Sequence, residues 1–205
     1  MRLAGWLKGW RISSRNRCNV LCMHAKKIYY IANARMPTEK AHGIQIAKMC
    51  EALIEAGADL ELVVPKRHTD TRSVKDFYGL RVNVPTTYLW TPDWYDKGRI
   101  GFWISSLVFI WAYWRYLRSK RRDAMMAWAV DIDQFSFLGI PFLGVPYVAE
   151  IHDAKHWSLP FQSLFRSAGA IAVVNQAIKG ELMRVFGLPE AKITVQPNGI
   201  DLEMF

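Results

Sequence analysis

Half of the 205 residues are apolar, which suffices for one buried core and argues against disorder over most of the chain. Cys18, Cys22 and Cys50 are too few for a disulfide framework, so a reducing, cytoplasmic setting is expected. The formal charge of +9 is concentrated: residues 1–27 hold seven basic and no acidic side chains, and Arg115, Arg118, Lys120, Arg121 and Arg122 add five more, leaving −3 for the remainder.

Residues 1–26 read as a basic tail with Trp6 and Trp10 and no apolar run of signal-peptide or membrane-span length. A surface anchor, a flexible tail and a translation start at Met23 all fit it. Cys18, Cys22 and His24 lie close together but lack a second pair of ligands, and no metal is expected. Ile28–Ala34 then reads as an apolar strand. After a polar turn, a helix beginning near Gly43 repeats Ile46, Ala47, Cys50, Leu53 and Ile54, stops at Gly57, and gives way to a strand over Asp59–Val64. This is one right-handed βαβ crossover. His42 and Gly43 sit at its strand-to-helix junction, where free amides attract a phosphate or sugar; easing of a tight turn explains Gly43 equally well. One glycine does not make a dinucleotide fingerprint.

Lys66–Gly79 reads as a polar loop and Arg81–Leu89 as a strand, in which Pro85 argues for an edge or an interruption. Trp90–Tyr116 follows, with five of the nine tryptophans. Its fifteen uncharged residues between Arg99 and Arg115 reach about 22 Å as a helix, short of the roughly 30 Å of a bilayer core. A helical wheel puts Trp103, Leu107, Ile110, Trp111 and Trp114 on one face, assigned to the sheet. The other face, with Phe102, Phe109, Tyr113 and Tyr116, is too apolar for water. A membrane interface, with the 115–122 basic cluster on lipid phosphates, and packing against another part of this protein or a partner chain both fit it. The charge pattern suits an anionic membrane better than nucleic acid, for which there is no reader motif.

From residue 124 the elements alternate at close intervals. Strands are expected over Ala124–Val130, Val145–Ile151, Ala170–Val174 and Ile193–Gln196, and helical pieces over Gln134–Leu138, Ser158–Arg166 and Gln176–Phe186. The pattern implies an α/β fold, a Rossmann-like, doubly wound and mostly parallel sheet. His42 and Gly43, His152 and Asp153, Asn175, and Asn198 and Gly199 then all fall at carboxyl ends of strands, the edge where ligands bind.

Three segments carry a family resemblance: NARMPTEKAHGIQIAKMCEAL, VAEIHD, and VVNQAIKGELMRVFGLPEAKITVQPNGIDLEMF. Together they resemble the amino-terminal domain of the family 4 glycosyltransferases, which are retaining, GT-B enzymes that use nucleotide sugars. The resemblance implies a domain over 27–197 and an interdomain linker beginning at 198–205. It implies that Gly43 lies against donor phosphate or sugar, and that His152, supported by Glu150 or Asp153, lines the cleft near the transferred sugar. A histidine that only caps the strand is the plainer alternative.

The resemblance further implies a glycan or lipid-linked acceptor, cell-envelope polysaccharide synthesis and no cofactor. The location expected is cytoplasmic, with peripheral contact on the inner face of the membrane. The second, donor-binding domain of the family is not among these residues. The expectation is therefore a half-enzyme that is inactive alone, either a fragment of a longer reading frame or one half of a split enzyme whose donor domain is a separate chain. A non-catalytic membrane-associated binding protein and part of a sugar-nucleotide epimerase are the other readings.

Overall fold

A computed structural model describes residues 27–67, 72–120, 125–133 and 135–197. The basic tail, the expected linker, Arg121, Arg122, Asn198, Gly199 and the cluster of Cys18, Cys22 and His24 lie outside the described residues. Seven strands, β1 (Lys27–Ile31), β2 (Leu60–Lys66), β3 (Thr86–Trp90), β4 (Met125–Val130), β5 (Tyr147–Ile151), β6 (Ala170–Val173) and β7 (Ile193–Val195), form one sheet in the order β3-β2-β1-β4-β5-β6-β7. Every pairing is parallel.

The strands are continuous apolar runs because both faces are covered. In β1, Tyr29 and Ile31 point to one core and Tyr30 to the other. Helices α1 (Ala41–Glu55) and α2 (Val74–Tyr78) cover one face. The other is covered by α3 (Gly98–Arg118), a 3-10 segment (Ser136–Leu143), α4 (Leu159–Ser167) and α5 (Gln176–Phe186).

The expected elements are present, with four corrections. Helix α1 begins at Ala41, so His42 and Gly43 occupy its first turn instead of the loop before it. The segment read as a loop over 66–79 contains α2. Ser73 caps it by accepting from Asp76 N–H at 3.0 Å, and Gly79 closes it in the left-handed region at φ 61°. Ser-Val-Lys-Asp is a capping-box pattern, a signal that was readable in the sequence.

The third correction concerns α3. Its buried ridge is Gly101, Ser105, Phe109, Tyr113 and Leu117, one residue every four, and Trp103, Leu107 and Trp111 face outward. The helix is apolar all round, so polarity could not choose its inner face; shape chose it. Small residues let the N-terminal half sit close against the turn that precedes it, since a Cβ on Gly101 would come 2.0 Å from Trp94 O, and Ser105 Oγ accepts from Trp94 N–H at 3.2 Å. Further along, Tyr113 Oη donates to Ser136 O at 2.8 Å. Pro85 immediately precedes β3, which is an edge strand as expected but begins only at Thr86.

Candidate active site

An all-parallel sheet brings the carboxyl ends of its strands to one edge. The strand order reverses direction between β1 and β4, so the crevice of such a sheet opens beside these two strands. Polar side chains collect there in two clusters and one ion pair.

The first cluster is built on Glu150, the fourth residue of β5 and buried. Its Oε2 accepts from Tyr30 Oη at 2.8 Å and Trp128 Nε1 at 2.6 Å, and its Oε1 lies 2.9 Å from His152 Nε2. The adjacent strand β4 and β1 beyond it thus supply the donors that let a carboxylate remain inside the sheet. Burial and the adjacent Glu150 charge push the Tyr30 hydroxyl well above its ordinary pKa, keeping it a donor. Gln45 Nε2, from α1, approaches His152 Nε2 at 3.4 Å. A carboxylate at 2.9 Å requires hydrogen on Nε2, so the neutral ring carries its lone pair on Nδ1. Of the two carboxylates expected to steady His152, Glu150 makes the contact, and Asp153 is exposed.

The second cluster contains residues that sequence reading missed. Asn33, just past β1, contacts the Asp133 carboxylate and the Ser136 hydroxyl through Nδ2, which also lies 2.9 Å from Tyr95 Oη. Arg67, just past β2, donates to Asn33 Oδ1 and stacks 3.7 Å from the centroid of the Tyr95 ring. Ser106 Oγ of α3 donates to Asp133 Oδ2 at 3.2 Å. Asn33, Arg67 and Asp133 each follow a strand, the same signal that pointed to His152; Asn33 also opens the first family-like segment, whereas Arg67 and Asp133 belong to none.

Between the clusters, Asp131 and Lys155 form a buried ion pair that ties the end of β4 to the loop after His152. Burial pushes the Asp131 carboxyl above its ordinary pKa, although the Lys155 ammonium opposes this.

The other residues expected at the site have these surroundings. Gly43 N–H donates to Lys40 O at 2.8 Å, and a Cβ on Gly43 would meet Tyr78 Oη at 2.4 Å and Thr38 Cγ2 at 2.5 Å. Close packing of Tyr78 and Thr38 is therefore sufficient reason for a glycine. His42 is half-buried; burial first, and then Lys40 and Arg67, pull its pKa below the ordinary value. Asn175 is exposed and caps α5, its Oδ1 accepting from Ile178 N–H at 2.9 Å. Arg115 and Arg118 are exposed on α3, and Lys120 Nζ lies 4.3 Å from the centroid of the Tyr116 ring.

The sequence pattern described as Glycosyltransferase Family 4 matches residues 43–204. The chain belongs to glycosyltransferase family 4. No curated protein matches its sequence. Among solved structures, this family 4 domain is similar to the apo form of the lipopolysaccharide outer core galactosyltransferase WaaB, at 12% identity over 86% of this chain and 46% of that one, TM-score 0.55. It is also similar to the Phytolacca americana UGT2 complexed with UDP-2-fluoro-glucose and pterostilbene (12% identity, 86% and 53% coverage, TM-score 0.55). A third similar structure is a UDP-N-acetylglucosamine 2-epimerase from Rickettsia bellii (11%, 85% and 45%, 0.54). At these identities the likeness is one of fold: the family 4 chain is a Rossmann-like GT-B half, and it spans about half the length of each structure.

Proposed function

We propose that this domain is the amino-terminal, acceptor-side half of a glycosyltransferase that moves a sugar from a nucleotide-sugar donor to a glycan or lipid-linked acceptor. The observation that supports it best is the 2.9 Å contact of His152 with buried Glu150 at the sheet's carboxyl edge. With Nε2–H held by the carboxylate, Nδ1 is available to accept a hydrogen bond from a sugar or acceptor hydroxyl. Asn33, Asp133 and Arg67 offer further donors and acceptors for hydroxyl groups. The first turn of α1, where His42 lies, is suited to a donor phosphate. The donor is itself a substrate, and no cofactor enters.

Departure of a nucleoside diphosphate requires positive charge in the cleft. In this proposal a second, donor-binding domain supplies it, in the same polypeptide or a separate one, and the 27–197 domain does not complete transfer alone. The test is to assay the domain together with a donor-binding half against a panel of nucleotide sugars, following nucleoside diphosphate release. His152→Ala should lower turnover by about 10²-fold or more. Unchanged turnover would leave His152 as a strand cap, and conversion of the nucleotide sugar without an acceptor would favour epimerase chemistry.

A further inference from the structure

Helix α3 is packed on one side only. Phe109, Tyr113 and Leu117 are fully excluded from solvent, whereas Trp103, Leu107 and Trp111 are 44%, 52% and 59% exposed. Beside them the 3-10 segment turns Phe142 outward, 79% exposed. A groove of about 260 Å³ runs between the two, lined by Leu107, Ile110, Trp111, Trp114, Gly139 and Phe142. Trp114 Nε1 donates to Phe142 O at 3.3 Å, which pins one wall to the other. A contiguous surface of indole, phenyl and aliphatic carbon marks an interaction site.

Charge on the same helix identifies the occupant. From Lys97 to Lys120 the chain has five cations and no anion. Two of the guanidiniums lie over the patch's own tryptophans, Arg118 4.1 Å from the Trp114 ring centroid and Arg115 5.7 Å from that of Trp111. A two-fold contact between copies would set this surface against itself, cation facing cation. An anionic bilayer matches both features: indoles favour the headgroup level, and guanidiniums pair with lipid phosphates.

We infer that the outer face of α3, with Phe142, docks this domain on an anionic phospholipid bilayer, the helix lying in the membrane plane. The helix cannot cross, because its inner ridge is part of the sheet's core, and among the described residues no helix is long and apolar enough to span. Through Ser106 the same helix touches the Asp133 cluster. Docking therefore carries the sheet's carboxyl edge toward the headgroups. The docking itself stands without the transferase reading.

The experiment is co-sedimentation of the full chain with phosphatidylcholine vesicles, with and without phosphatidylglycerol. Because residues 1–27 are also basic, the readout is the difference between wild type and two variants of exposed residues, L107S/W111S and R115E/R118E. Both should weaken partitioning onto phosphatidylglycerol vesicles by about tenfold or more. Equal partitioning of wild type and both variants would assign binding to the tail and overturn the inference. So would wild-type binding by L107S/W111S, since the apolar face must enter lipid. A second measurement avoids dependence on those variants: brominated lipid should quench tryptophan fluorescence of wild type and quench W103F/W111F less. Equal quenching, or a concentration-dependent dimer that L107S/W111S disperses without any vesicle binding, would also overturn it.

Discussion

His152 Nε2 and Glu150 Oε1 lie 2.9 Å apart, two residues from each other along the exit of one strand, and the second Glu150 oxygen is held by Trp128 from the adjacent strand β4 and by Tyr30 from β1 beyond it. All three partners donate, so the position needs an acceptor on both oxygens. Glu150→Gln keeps the shape but turns one acceptor into an amide donor facing another donor. It should destabilise the domain by about 1–3 kcal/mol, measured by urea denaturation. Stability within a few tenths of a kcal/mol of wild type would show that this carboxylate is not held as described.

The Asp131–Lys155 pair should show the asymmetry of buried ions. Lys155→Met leaves the carboxylate buried without its partner and should cost about 3–5 kcal/mol. Asp131→Asn added to Lys155→Met removes the stranded charge and should recover much of that loss. A double-mutant cycle in urea measures the coupling; simple additivity would mean that the two charges do not act as a pair.

Gly43→Ala tests whether packing accounts for the glycine. The new methyl would displace Tyr78 Oη, which accepts from Thr38 N at 2.8 Å and donates to Thr38 O at 2.7 Å. A loss of about 1–3 kcal/mol in unfolding free energy is expected, in the domain alone and with no ligand present. Stability equal to wild type, together with weaker nucleotide-sugar binding, would instead make the glycine a ligand contact.

His42 should make stability pH-dependent. Burial and the cations Lys40 and Arg67 hold its folded pKa below the ordinary value near 6.5, so the folded state binds fewer protons than the unfolded state through that range. Its contribution is fully present above about pH 6.5 and is lost as pH falls through the lower, folded pKa. Urea midpoints of wild type should therefore decline more steeply from pH 7 to 5 than those of His42→Gln. Parallel curves would show that His42 titrates normally.

Much of the fold was legible because period and polarity are local properties. The change from strand to helix between Ile28 and Gly57, and the apolar runs ending near Ile151 and Val173, reflect backbone geometry and two-sided burial, which a sequence displays directly. His152 was legible because a strand end and a family motif coincide there. Asn33, Arg67 and Asp133 were not: Asn33 only opens a family-like segment, Arg67 and Asp133 lie outside all three, and the contacts among them span up to a hundred positions.

From the sequence alone came the parallel doubly wound sheet, the edge at which a site would form, and the kinship with family 4. Tertiary structure decided which face of α3 is inside, which carboxylate holds His152, and which side chains pack against Gly43. These turn on whether particular shapes and donors meet across the sheet. In α3 the polarity of the two faces is nearly equal, so the choice fell to the close fit of Gly101 and Ser105 and to the reach of Tyr113. That fit leaves the tryptophans facing out.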